Sequence, residues 1–181
     1  MSAPRIAPMD PKDFSEAQSA FFKPFLQTDG SLHNVYATLA HHLDLAKAWS
    51  GFGLYTMRGS QMDPALREVA ILRAAVNANC DYEFHHHSAI GRHVGLSDED
   101  IDAIKAGTPL SLAHADLIVA CVDELADQSK LSDENWTQMT ETFGVPYTFD
   151  FILTVGAYSA LALLLNTCGV EIESAGTDTP A

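Results

Sequence analysis

Basic side chains are scarce in this sequence: 10 lysines and arginines stand against 24 aspartates and glutamates, a formal charge of −14 over 181 residues. Such a chain repels phosphate backbones and anionic bilayers, which argues against nucleic-acid and membrane partners. Cysteine is scarce too. Cys80, Cys121 and Cys168 are odd in number and far apart, so no disulfide framework is expected. HExxH and CxxC are missing, and the run His85-His86-His87 does not replace them, because consecutive helical residues point in different directions. Neither a metal nor a cofactor is expected on this ground. The opening MSAPRIAPMDP has no apolar signal core, which makes the cytoplasm the expected compartment. Strand signals are nearly absent: no Asn-Gly or Asp-Gly turn joins two alternating runs.

What is present is helical spacing. Hydrophobic residues make up 47% of the chain, enough for one closed core. The reading is a single all-α domain over residues 13–173, its centre at about 34–107. Residues 1–12, with Pro4, Pro8 and Pro11, and residues 174–181, small and polar, are expected to be loose tails. Helices are expected at Asp13–Leu26 with Pro24 disturbing the last turn, and at Asn34–Ser50. Gly51, Gly53 and Gly59 should loosen the next segment. Pro64 opens a strong helix to about Ala78, and another starts near Asn79 or Cys80 and stops near Gly95. Ser97 caps a short acidic helix ending at Gly107. Ala113–Asp127, Asp133–Phe143 and Pro146–Thr167 complete the set.

The stretch from Phe151 to Val170 carries no charge and nearly suffices to span a bilayer. Thr154, Gly156, Ser159, Asn166 and Thr167 interrupt it, and Asp150 and Glu171 flank it without a basic anchor. It reads as a buried helix. Being apolar nearly all round, it must be covered on all sides, and a homo-oligomer is expected.

Cys80, Glu83 and His87 stand at i, i+3 and i+7 and share one helix face. Glu83 and His87 are spaced to touch. Cys80 lies at the helix start, where the dipole favours a thiolate, while the Glu83 charge opposes it. Glu68, on the preceding helix, has apolar helical neighbours in Ala65, Ile71, Leu72 and Ala75. It must be paired, with Arg67 or Arg73 as the plain choices, or partly desolvated. Two carboxylates and an imidazole in different surroundings suit general acid–base work. Tyr82 is a candidate hydrogen-bond donor to a substrate.

The segment from Glu68 to His87 resembles the carboxymuconolactone decarboxylase / alkylhydroperoxidase D-like family. Thiol peroxidases of that family carry a glutamate, a CxxC beginning twelve residues later, and a histidine four beyond the second cysteine. Glu68, Cys80 and His87 fit that spacing, and Glu83 stands where the second cysteine would be. The run Cys80-Asp-Tyr-Glu83-Phe-His-His-His87 is similar to the family's Tyr-Glu-aromatic-x-x-His variant. The flanks Leu39-Ala-His-His-Leu-Asp-Leu-Ala-Lys-Ala-Trp49 and Gly95-Leu-Ser-Asp-Glu-Asp-Ile101 agree, and looser similarity runs from Asn34 to Gly169. The resemblance implies an alkylhydroperoxidase D-like helical bundle, assembled as dimers, trimers or hexamers, with Glu68, Cys80, Glu83 and His87 as site residues. The leading expectation is a small-molecule lyase, isomerase or decarboxylase in which Glu83 orients His87 and Glu68 is a second acid or base. The alternatives are a peroxidase using Cys80 with an external resolving thiol, and a non-enzymatic binding or assembly module.

Overall fold

Proline and capping residues set most of the helix starts. In the computed structural model, which describes residues 4–173, nine α-helices follow one another. They are α1 (Glu16–Phe22), α2 (Asn34–Leu39), α3 (Leu43–Leu54), α4 (Pro64–Asn77), α5 (Asp81–His93), α6 (Asp98–Ala106), α7 (Ala115–Gln128), α8 (Asp133–Phe143) and α9 (Val145–Cys168). No strand occurs among the described residues. Ser15 with Gln18, and Ser97 with Asp100, form reciprocal caps at the starts of α1 and α6. Asp63 caps α4, whose first residue is Pro64. Gly107 ends α6 at φ 68°, and a Cβ there would lie 3.2 Å from the Arg73 guanidinium.

The first half differs from the sequence reading in detail. Pro24 does not merely disturb a helix that began at Asp13: α1 is only 7 residues long, and a 3-10 turn takes over at Lys23–Phe25. The helix expected at Asn34–Ser50 is broken by a 3-10 turn at Ala40–His42, where the His42 ring accepts from the Leu45 amide and starts α3 afresh. Gly51 and Gly53 loosen nothing. They lie inside α3, which runs on into a π turn at Tyr55–Gly59. Tertiary packing overrides the weak helix preference of glycine. Residues 4–12, read from sequence as a loose tail, run along the body. The Arg5 amide bonds the Cys168 carbonyl at 2.8 Å, the Met9 amide bonds the Ala37 carbonyl at 3.1 Å, and the His41 ring meets the Ala7 carbonyl at 2.9 Å. Residues 1–3 and 174–181 lie outside the described residues.

Helix α4 is the axis of the fold. Every residue from Leu66 to Leu72 is buried, and the helix packs against α5, α6, α7 and α9. One core gathers Leu66, Val69, Leu72, Ile104, Ile118, Val122, Met139 and Phe151 around it. A second sits under α1 and α2, built on Phe22, Ala37, Leu39 and Ala46. Arg73 locks the far side: it forms a two-point ion pair with Asp123 at 2.6 and 2.8 Å and donates to the Ile104 carbonyl.

Helix α9 is the one described helix long and apolar enough to cross a membrane. Half of its most apolar window is buried inside this fold, as in a core helix. Its other face is not covered by the described residues: Phe149 and Leu153 are each 54% exposed and Leu163 is 70% exposed.

Candidate active site

Three residues, Ala78, Asn79 and Cys80, join α4 to α5, with Asn79 at φ 51° making the reversal. That short link sets the two helices side by side and fixes which side chains can meet. Glu68, fully buried on α4, receives the His87 ring from α5: Nδ1 lies 2.7 Å from Oε2. The other carboxylate oxygen, Oε1, accepts from the Nε of Arg67 at 3.3 Å, and Arg67 is itself buried. With Glu68 ionised, Nδ1 carries the hydrogen and Nε2 of His87 is the nitrogen free to exchange a proton.

The expected Glu83–His87 pair does not form. Glu68 takes the imidazole, although it is 19 residues away, and the i, i+4 neighbour is left out. Glu83 is 2% exposed, and neither carboxylate oxygen has a hydrogen-bond partner. Burial pushes its carboxyl up to about 8, against a weaker opposing pull from the Cys80 thiol. Glu83 is therefore a carboxylic acid held neutral near neutral pH.

Cys80 caps the start of α5, as its position in sequence implies, and is 2% exposed. Dipole and acidic neighbours were the two terms visible in the sequence. Burial is the largest influence on the thiol. It pushes the thiol up to about 11, the Glu83 and Tyr82 amides pull it down, and the Glu83 and Asp81 carboxylates push it further up. The sulfur packs among Tyr82, Ala162 and Leu165. Cys121 sits in the core around α4, Cys168 at the end of α9, and all three cysteines are free.

Tyr82 belongs elsewhere. Its hydroxyl donates to Oε1 of Glu173 at 2.8 Å and accepts from the Val35 amide at 3.1 Å, so no hydrogen remains for a substrate. The tyrosine that does border the site is Tyr158 on α9. Its ring stands edge-on to His87 at 4.8 Å, and its hydroxyl donates to the Met57 sulfur at 3.2 Å. Burial first, then the charges of Glu68 and Glu83, raise its pKa. From sequence Tyr158 was only one apolar position in a hydrophobic helix. With Ile71 and Ala157 it carries Trp49, Phe52 and Met57 as a cover. Met57 lies in the π turn, an irregularity frequent at functional sites.

Residues 44–111, which hold the whole Glu68–His87 arrangement, match the model of the carboxymuconolactone decarboxylase family. Over that stretch the chain is similar to the carboxymuconolactone decarboxylase family. Solved structures agree over nearly the full length. An uncharacterized peroxidase-related protein from Ralstonia eutropha JMP134, described as an alkylhydroperoxidase AhpD core, superposes with a TM-score of 0.82 at 14% identity, covering 96% of this chain and 94% of its own. A peroxidase-related protein from Silicibacter sp. TM1040 gives 0.78 at 14% identity, over 96% and 91%. A protein of unknown function from Agrobacterium tumefaciens gives 0.67 at 15% identity, over 76% and 96%. At such identities the likeness is one of fold, and the fold is AhpD-like. No curated protein matches the chain.

Proposed function

We propose that this chain is a small-molecule enzyme of the lyase, isomerase or decarboxylase type, working by proton transfer. The observation that carries the reading is Glu83: a buried carboxyl with two unpartnered oxygens, one helical turn from an imidazole already held by another carboxylate. A buried polar group without a partner is costly, and one kept beside a His–Glu pair makes sense as a proton donor. In this reading Glu68 fixes the ring of His87, with Arg67 balancing its charge. His87 Nε2 takes a proton from the substrate, and Glu83 delivers one, or the reverse. The roles of the two glutamates are thus exchanged relative to the order suggested by sequence.

The peroxidase reading rests on the names of the AhpD-like neighbours and on Cys80 at a helix start. Against it stands a thiol pushed up to about 11, since the thiolate is the nucleophile. We also propose that copies of the chain associate through the uncovered face of α9, where Phe149, Leu153 and Leu163 are exposed.

The test is to offer the untagged protein a panel of lactone acids and β-keto acids in deuterated water, and separately hydroperoxide with a thiol reductant. Solvent deuterium in a product, lost in His87→Ala and retained in Cys80→Ser, is the expected outcome. A sulfenic-acid label on Cys80, with peroxide consumption abolished in Cys80→Ser, would replace the acid–base reading by the peroxidase.

A further inference from the structure

Helix α5 presents His86 to the side that His87 does not use. There it meets two residues from distant parts of the chain, His33 at the start of α2 and Glu173 beyond the end of α9. Nε2 of His86 lies 2.8 Å from Oε2 of Glu173, and Nδ1 of His33 lies 3.7 Å from Oε1 of the same carboxylate. The three groups offer ligand atoms that all fall within 4.8 Å of one another. His33 Nδ1, His86 Nε2 and Glu173 Oε2 are buried, and none of them makes a hydrogen bond. The short contact between His86 and Glu173 is an ion pair when the imidazole is protonated. Three potential ligand atoms thus converge on one point.

From these positions we propose that His33, His86 and Glu173 form a binding site for a divalent transition-metal ion, zinc in the first instance. Nitrogen and carboxylate donors about 2.0–2.2 Å from zinc in a tetrahedron stand about 3.3 Å from one another. The His86 Nε2–Glu173 Oε2 separation of 2.8 Å is somewhat shorter than that spacing, and all three ligand atoms fall within 4.8 Å of one another, so side-chain adjustments on the order of an ångström complete the site. Three protein ligands leave a fourth position for water. The carboxylate is also held as a ligating carboxylate should be. Oε1 accepts from the Asn34 amide at 2.5 Å and from the Tyr82 hydroxyl at 2.8 Å, which aims the unbonded Oε2 at the two rings. The rings of His33 and His86 stand edge to face at 5.0 Å, and the Tyr82 ring backs His86 at 4.4 Å. A net charge of −14 favours a cation anywhere on this chain, but only here do buried, unpartnered donors converge among the described residues. His33 and Glu173 lie outside the matched residues 44–111, so the site reaches beyond that stretch and is separate from the Glu68–His87 centre. An ion there would join α2, α5 and the segment after α9, and its role is to staple.

The expectation drawn from the missing CxxC and HExxH was that no metal is held. That expectation concerned ligands close together in sequence. The three residues here are 53 and 87 positions apart along the chain, and no spacing motif contains them.

The experiment uses the full chain with any tag removed, stripped with a chelator and dialysed. Zinc chloride is titrated by calorimetry and cobalt chloride by visible absorption. One zinc per chain, the intense bands of four-coordinate cobalt, and a melting temperature that rises with zinc and falls back with chelator are expected. His33→Gln, His86→Gln and Glu173→Gln should each abolish the cobalt bands and the thermal shift. Tyr82→Phe should weaken binding by about 10–100-fold, and His93→Gln, an exposed histidine on the same helix, should change nothing. Circular dichroism confirms that each variant is folded. Wild type without four-coordinate cobalt bands overturns the proposal whatever the variants do. So does zinc binding equal in wild type and in the His33→Gln/His86→Gln double variant, which would mark an ordinary ion triad with metal held elsewhere.

Discussion

Two consecutive histidines on α5 lead to two different kinds of place. His87 meets a glutamate 19 residues earlier across a three-residue link, inside a helix pair that any fragment containing it would carry. His86 meets a glutamate 87 residues later and a histidine 53 residues earlier. The first centre is local, fixed by helix geometry and a short loop. The second exists only when both ends of the described chain are in place. One helix serves both because adjacent residues point about 100° apart around its axis. The local centre has the groups of an acid–base catalyst, and the assembled one has the groups of a staple.

The largest effect that would sharpen this division is catalytic. His87→Ala should lower turnover by roughly 10²–10⁴-fold, the usual share of a general base, and leave zinc binding intact. Rate assays beside cobalt spectra check both halves. Loss of both together would mean that the two faces of α5 are not independent.

Cys80 provides the next test. Its ordinary value is 9.0 and burial takes it to about 11. Two units leave about a hundredfold less thiolate at any pH below 9. Alkylation of Cys80 followed by mass spectrometry at pH 7.5 should therefore run at least about a hundredfold slower in the folded chain than in urea. Rapid labelling of the folded protein would return Cys80 to the list of nucleophiles.

Stability against pH tests Glu83. The carboxyl ordinarily titrates at 4.5, and in the fold at about 8. Between those values the folded chain keeps a proton that the unfolded chain has released. The contribution is thus whole below about 4.5 and is lost as pH rises toward 8. The slope is up to ~1.4 kcal/mol per pH unit within that window. Denaturant midpoints from pH 5 to 8 should fall in wild type and stay flatter in Glu83→Gln. Equal slopes would show that Glu83 is already ionised.

The smallest effect belongs to the assembled face. Tyr82→Phe removes the hydroxyl that donates to Glu173 and accepts from Val35, and should cost about 1–3 kcal/mol in urea melts, with the Glu68–His87 chemistry unchanged. A loss of activity larger than the loss of stability would place Tyr82 in the catalytic centre after all.

The local centre was largely legible in the sequence and the assembled one was not, for a physical reason. Helical spacing places Cys80, Glu83 and His87 on one face without knowledge of anything else, and the family pattern adds Glu68. Periodicity cannot say which of two carboxylates wins an imidazole. That depends on the packing of α4 against α5, and it went to Glu68. Burial of the Cys80 sulfur under Ala162 and Leu165, and of Tyr158 beside His87, depends on α9, whose uniform hydrophobicity hides which residues face inward. The helices with clear caps, α4, α6 and α8, were placed within a residue or two. The breaks at Lys23–Phe25 and Ala40–His42, and the run of α3 through two glycines, answer to tertiary contacts that no local pattern records.

The hydrogen bond from the Arg5 amide to the Cys168 carbonyl has a consequence for the topology of the chain. A Cβ on Gly169 would lie only 3.3 Å from the Cα of Pro4, so the two ends of the described fold run side by side. Joined by a short flexible linker, the protein becomes a closed ring that can be reopened at an exposed connection, such as Ser129–Lys130 after α7. A permutant opened there keeps every helix whole.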